Sequence, residues 1–530
     1  MTDTISNAPP NPENSAPASP PEGSVSASEA DIAVAIEAAD QREPHEINPE
    51  LASGKSLDLI CASYLFNDMG NANRLRARFG RDLIFVKDAG WFAWTGSHWS
   101  LEEGFVRAER CAHAAVAAIF KEAAALEQLG PKLGETDAQF AARIKAHKAW
   151  AVRSGNSNKI SAMLSVAAPY LTRQMEDFDA NVYLFNCANG TIDLRVLPRT
   201  LQKHRREDLL TKCSPASYRP DADAPVFRAF LAKVQTHEDV RLYIQKYFGY
   251  SMTGLTSEQC LLLFYGGGSN GKSTLMESLK HVLGNYAATI PISSLLYDDR
   301  ARGSEASPDI ARLPGTRLVM ASEPEVGARL SESRLKAMTG GEDMITRHLN
   351  KGFFEFKPQF KLTLSFNNKP TVRGQDDGIW RRLIMVPFDV KIPPGERDRN
   401  LPEKLHAEQD GILNWLLDGY DHWDEQGLVP PERVLKTTSE YRLENDPVGQ
   451  FIESACRSAP GTRERAADMY AAYQKWCTDN AALPISQTAF SKRVSEKGYG
   501  KDKSSTILWI GLRIIDEYRP KEKVSEGVYE

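Results

Sequence analysis

An α/β core around a parallel sheet, with an α+β region before it and a compact helical unit with a strand-turn-strand wing after it, is the fold class that three observations predict. Apolar runs at 261–264, 317–321, 360–366 and 383–387 have the length of strands buried on both faces. The first runs directly into Gly266-Gly267-Gly268-Ser269-Asn270-Gly271-Lys272-Ser273-Thr274, which opens a helix to about Leu283. Near the C-terminus two amphipathic helices, 465–477 and one capped by Ser486, precede residues 498–503 and 504–511, which read as a strand-turn-strand wing.

Composition sets the frame. The 530 residues, 42% hydrophobic and 25% charged, suit a globular chain of roughly three to four domains. The formal net charge of −5 is a misleading average. Residues 1–50 hold ten acids against one base, Arg42, so residues 51–530 carry a net +4. Those first fifty residues also have eight prolines and no aromatic residue, and read as a disordered acidic tail rather than a signal peptide. No stretch approaches the ~18 apolar residues of a membrane helix. Seven scattered cysteines without a C-x-x-C pair argue against a disulfide framework or zinc ribbon, and for a reducing cytoplasm.

In chain order, residues 57–66 and the stretch to Arg81 read as helices broken at Gly70-Asn71. Strands follow at 83–86 and 91–94, then a turn from Thr95 to His98. Residues 101–178 read as helical, with Arg143, Lys145 and Lys148 projecting from one helix as a solvated face in preference to a nucleic-acid contact. Residues 182–211 turn strand-like around Asn189-Gly190, 215–225 connects, and 227–249 is helical. Stretches 391–402 and 427–432 are linker-like. The resulting division is a tail (1–50), an N-terminal region (51–225), the α/β core (226–395), a helical connector (396–440), a C-terminal unit (441–520) and a short tail (521–530).

Strand, glycine-rich turn, Lys-Ser and helix form the order that a phosphate cradle demands. Glycines let backbone N–H groups line the loop, and the helix N-terminus adds its positive dipole end. Lys272 is placed to reach β- and γ-phosphates, and the Ser273 hydroxyl to ligate Mg²⁺. Downstream, the run from Arg317 ends in Glu323, an acid suited to holding a metal's hydration shell and polarising water. The run 360–366 delivers Asn367, a neutral amide that can orient water against a γ-phosphate. Gly378-Ile379-Trp380-Arg381-Arg382 sets two arginines before the last strand, as a solvated pair, as nucleic-acid contacts or, the sharper option, as an arginine finger on a neighbouring subunit's ATP.

The run GGGSNGKST, the strand ending in Ser322-Glu323, the block from Lys336 to Lys351, Asn367 to Pro370 and the GIWRR sequence together resemble an AAA+-like superfamily three helicase domain. They are similar in particular to the phage and plasmid primase-helicase family related to poxvirus helicase-primases, with likeness extending over about 60–520. The resemblance implies that Gly266, Gly267, Gly268, Ser269, Asn270, Gly271, Lys272, Ser273 and Thr274 bind ATP, with Ser273 and Glu323 at Mg²⁺. It makes Glu323 the Walker B acid, Asn367 the γ-phosphate sensor, and Arg381 or, by a slight preference, Arg382 the finger. Arg347, His348 and Lys351 fall where this superfamily places a DNA-gripping loop and hairpin inside a hexameric ring. Ser322-Glu323 departs from the usual pair of acids, leaving one carboxylate for metal and water.

The C-terminal order resembles a winged helix, with Lys492, Arg493 and Lys497 available to phosphates. Residues 51–250 offer no Asp-x-Asp or comparable pair on an expected strand for two-metal nucleotidyl transfer. The expected function is thus an ATP-dependent DNA helicase of phage, prophage or plasmid replication. It would form a homohexamer acting on single-stranded and forked DNA, 3′ to 5′ by resemblance alone, beside a separate primase or replisome protein. The alternatives are a bifunctional primase-helicase and an ATP-dependent origin-binding or loading protein that does not unwind.

Overall fold

The computed structural model describes residues 56–298, 308–325, 327–347, 352–503 and 506–520; the two expected tails, 1–50 and 521–530, lie outside the described residues. At the centre is an all-parallel sheet of β1 (Leu261–Tyr265), β2 (Ala287–Thr289), β3 (Leu318–Ser322), β4 (Lys361–Phe366) and β5 (Leu383–Pro387), in the order β5-β1-β4-β3-β2. These strands read as unbroken apolar runs because both faces are covered. Along β1, Leu262 and Phe264 enter one core while Leu261 and Leu263 enter the other, and all four are fully buried.

The first core is filled by α1 (Pro225–Val234), α2 (Glu238–Tyr250), α3 (Lys272–Leu283) and α4 (Gln409–Gln426). It reaches beyond the span 226–395. Ile412, Leu413, Leu416 and Tyr420 of the segment expected as a connector are buried in it, as are Phe185, Cys187, Ile192 and Leu194 of the hairpin around Asn189-Gly190. Apolar residues on both flanking segments draw them onto the sheet's helical layer, so neither stands apart from it. A further helix, α5 (Glu432–Glu444), lies on the edge strand, where Met385 N donates to Thr438 Oγ1 at 2.9 Å.

Register decides what the sheet presents at each edge. Tyr265 lies level with Phe366 and Pro387, and Ser322 level with Ser365. Gly266, Glu323 and Asn367 therefore leave the sheet at its C-terminal edge, the side where open α/β sheets bind ligands. Arg317 and Arg382 precede the paired residues Leu318 and Leu383 and so stand at the opposite edge.

The N-terminal unit has strands 99–100, 90–94, 83–86 and 172–173 side by side, the last parallel to its neighbour. The stretch expected to be helical throughout 101–178 is three helices, Gly104–Leu129, Asp137–Ser154 and Ser157–Ala167, with turns and this short strand behind them. The expected break at Gly70-Asn71 lies inside the helix Asp68–Phe79. Asn67 caps that helix by accepting from Gly70 N, and glycine is needed because a Cβ there would fall 1.9 Å from Leu65 O. The first helix stops early, at Cys61. A buried network holds the helices together: Glu122 accepts from Arg74 at 2.9 Å and Arg78 at 3.1 Å, with His147 Nε2 at 3.0 Å. On the solvated face Arg143 pairs with Glu135 and Lys148 with Glu127, both at 2.7 Å.

The C-terminal unit packs helices Pro447–Ala455, Ala466–Asp479 and α6 (Gln487–Glu496) against an antiparallel sheet in the order 456–465, 507–514, 501–503. Phe451, Tyr473, Phe490 and Trp509 fill its core. Among the described residues, no helix is long and apolar enough to cross a membrane.

Candidate active site

Between β1 and α3 the glycine-rich loop folds on itself, with Gly268 N donating to Gly266 O at 2.9 Å. Gly268, Ser269 and Gly271 are left-handed, at φ +86°, +53° and +84°, the backbone form from which anion-binding nests are built. A Cβ on Gly271 would sit 2.5 Å from Val234 of α1, whereas one on Gly267 or Gly268 would meet nothing. The loop's back is therefore closed and its mouth open. Below it, α3 begins with no side-chain cap, leaving its first N–H groups to a ligand.

Lys272 is buried, with 4% of its surface exposed. Its ammonium donates to Gly266 O at 2.7 Å, Asn270 Oδ1 at 3.0 Å and Asn367 Oδ1 at 3.2 Å. All three acceptors are neutral. Burial pushes the lysine's pKa down, and the Glu323 carboxylate opposes that shift. A buried cation hydrogen-bonded only to neutral acceptors, beside uncapped helix amides, fits a polyphosphate.

Glu323 projects into solvent at the tip of β3, pinned by its own N–H to Ser365 O at 2.9 Å. Its φ of +54° is a left-handed conformation that costs a non-glycine residue about 1–3 kcal/mol. The strain aims the carboxylate's backbone off the strand axis. Ser273 and Thr274 lie on the first turn of α3, directly after the loop, Ser273 exposed and Thr274 half-buried. A hydroxyl and a carboxylate are the hard oxygen donors that Mg²⁺ takes.

The two arginines separate cleanly. Arg382 is buried and donates through Nε to Thr339 Oγ1 at 3.1 Å, through Nη1 to Gly378 O at 2.6 Å and through Nη2 to Gln259 Oε1 at 3.2 Å. Arg381 is exposed, with one bond to the same Gln259 oxygen at 3.1 Å. The Arg382 guanidinium is engaged within its own chain by three bonds, whereas Arg381 carries one. Arg382→Ala is expected to cost about 2–3 kcal/mol by stranding buried acceptors, and Arg381→Ala no more than about 0.5 kcal/mol. Urea midpoints of the two variants measure the difference.

The basic groups expected to meet DNA are placed unevenly. Arg347 ends the strand Met344–Arg347 of an antiparallel hairpin with Phe353–Phe356, its guanidinium 4.7 Å from the Phe353 ring centre. His348 and Lys351 lie outside the described residues. On α6, Lys492 extends into solvent near Glu496 at 3.7 Å. Arg493 instead donates to Arg373 O, and Lys497 pairs with the buried Asp446. Those two do not project freely, because the acid and the carbonyl beside them compensate their charge.

Sequence reasoning missed the segment 388–397. Its Pro-Pro-Gly composition reads as a linker, yet Phe388 N donates to Tyr265 O at 2.7 Å and Ile392 N to Ser269 O at 2.8 Å. It also missed Lys361, whose buried ammonium donates to the carbonyls of Thr253, Leu255 and Gln359 and ties β4 to the lead-in before β1. Asp177 accepts from Gln174 N at 2.9 Å, and Asp193 pairs with Arg195 at 2.7 Å.

Comparison with known proteins adds three family matches. Residues 72–236 match the family described as D5 N terminal like, 264–382 a family of unknown function, and 443–529 the poxvirus D5 protein-like family. The chain is similar to a protein named as a candidate helicase in Acanthamoeba polyphaga mimivirus, with 31% identity over 58% of this chain and 34% of that protein. A candidate helicase of frog virus 3 is 27% identical over 51% of this chain and 29% of its own length. A candidate primase of African swine fever virus is 25% identical over 66% and 40%. The chain thus spans about a third of the length of the curated relatives it matches. Among solved structures, the NrS-1 C-terminal region aligns at 12% identity over 56% of this chain and 78% of that one, with a TM-score of 0.34.

Proposed function

From a chain that carries the D5-type domains of the poxvirus-type helicase-primase family, we propose an ATP-dependent DNA helicase whose hydrolytic site is the edge formed by residues 266–274, 323 and 367. The observation that carries this reading is the convergence of a buried, anion-deficient Lys272, Asn367 on its ammonium, and the strained Glu323 at one end of three adjacent strands.

In this reading the sheet is the AAA+-like superfamily three core. The loop amides and Lys272 bind the phosphate chain, and Asn367 exchanges its contact with Lys272 for the attacking water or the γ-phosphate. Glu323 accepts a proton from that water. Mg²⁺ would be held by the Ser273 hydroxyl and the Glu323 carboxylate, and would supply neutralisation of charge on the phosphates.

Arg381 stands away from its own loop. Arg381 precedes strand residues level with the start of β1, so about five residues, or roughly 17 Å, separate it from its own loop. That separation supports a finger acting on a neighbouring copy's ATP, and hence a closed ring, with six subunits implied by the superfamily alone. The antiparallel strands 344–347 and 353–356, with Ile345 and Phe353 exposed, suit a strand-gripping element inside such a ring. Three helices on an antiparallel sheet of three strands support the winged-helix reading of the C-terminal unit, with Lys492 outermost. The names of the viral relatives support a role in DNA replication.

Glu323→Gln separates binding from chemistry. The variant is expected to bind ATP within about threefold of wild type, because the loop amides and Lys272 still hold the phosphate chain, while turnover falls at least about a hundredfold, because the carboxylate that activates water and would hold Mg²⁺ is gone. Equilibrium ATP binding beside steady-state hydrolysis checks it. A variant that hydrolyses normally would remove Glu323 from the mechanism.

A further inference from the structure

We propose that Arg397 is a second phosphate-contacting cation of the nucleotide site, delivered from the same chain by the strap 388–397; the proposal rests on the ATPase reading above. The strap leaves β5 and runs along the outside of the glycine-rich loop. Besides the bonds from Phe388 N and Ile392 N, Phe388 O accepts from Asn270 Nδ2 at 3.1 Å, and Glu396 is tied to Lys233 of α1 at 2.8 Å. These anchors bring the Arg397 guanidinium onto the loop, where Nη2 donates to Ser269 Oγ at 2.9 Å.

Three features make this more than a surface contact. Ser269 is exposed at the open mouth, in a left-handed conformation between Gly268 and Asn270, so the guanidinium stands at the rim of the cradle. Among the described residues, Arg397 is the cation from outside the loop with a hydrogen bond landing on residues 266–271. Arg397 is itself exposed and its partner is a neutral hydroxyl. Moving to a phosphate oxygen therefore costs no burial and gains a charge-assisted bond, with a fork able to take two oxygens. Lys272 holds the chain from below, and Arg397 closes on it from the rim.

The test is calorimetric titration of the full chain with ADP and with a non-hydrolysable ATP analogue, beside KM and kcat for ATP and the unfolding temperature of the nucleotide-free protein. Arg397→Ala is expected to weaken binding and raise KM about tenfold or more, with kcat changed less and the unfolding temperature unmoved. Arg397→Lys should recover part of the affinity, as a point charge without the fork. If Arg397→Ala binds and hydrolyses like wild type while Lys272→Ala has lost binding, the inference falls and the ATPase reading stands. If Arg397→Ala lowers the unfolding temperature and Arg397→Lys restores that but no affinity, the residue only holds the strap, which also overturns it. A wild-type chain that binds neither nucleotide overturns the ATPase reading itself.

Discussion

Replacing Lys272 by alanine is expected to reduce ATP turnover at least about a hundredfold and to weaken ATP binding, because the substitution removes the ammonium that the phosphate chain needs. The fold should survive. Lys272 is buried at an energetic cost, and its three acceptors, Gly266 O, Asn270 Oδ1 and Asn367 Oδ1, sit at the mouth of a loop that water can reach once the side chain is gone. A pH dependence follows from the same burial. The lysine's pKa is lowered, so it loses its charge at a lower pH than an ordinary lysine, and ATP affinity should fall on the alkaline side before protein stability does. Lys272→Arg would hold its charge across that range, so its binding should lack the alkaline decline. Titrations with ATP analogue at rising pH measure both.

Arg381→Ala is the second large effect, about a thousandfold or more in turnover, with nucleotide binding nearly unchanged. What distinguishes it from Lys272→Ala is where the loss can be repaired. If Arg381 serves the neighbouring copy's ATP, an interface built from an Arg381→Ala subunit supplying Lys272 and a Lys272→Ala subunit supplying Arg381 is complete. Equal mixing should then make roughly a quarter of interfaces competent from two inactive proteins. A mixture as inactive as its components would contradict the trans assignment, and Arg381 would be left as an exposed residue beside Gln259.

The core was legible because its signals are local. The β1 residues 261–265 must be apolar on both faces, the loop needs its glycines, and Ser486 caps α6 by accepting from Ala489 N. What sequence could not convey are relations between distant residues. Arg381 and Arg382 are neighbours with the same chemistry, and only the packing of Thr339, Gly378 and Gln259 makes one structural and the other exposed. Arg493 and Lys497 look like a free basic face until Arg373 O and Asp446, 120 and 51 residues away, are brought against them. The strap 388–397 contributes chiefly backbone bonds, which leave no mark on composition. The strand Cys456–Arg465 was hidden by its own bulge between Ser458 and Arg463, where Pro460 and Gly461 break the alternating pattern.

The central claim is that hydrolysis at the loop drives movement along DNA. Strand displacement on a forked duplex, with ATP and Mg²⁺, tests it most directly when wild type is run beside Lys272→Ala and with a non-hydrolysable analogue in place of ATP. The account predicts displacement by wild type with ATP alone, and none in either control. Wild-type chain that hydrolyses ATP, is stimulated by single-stranded DNA and yet releases no strand from the fork would contradict it.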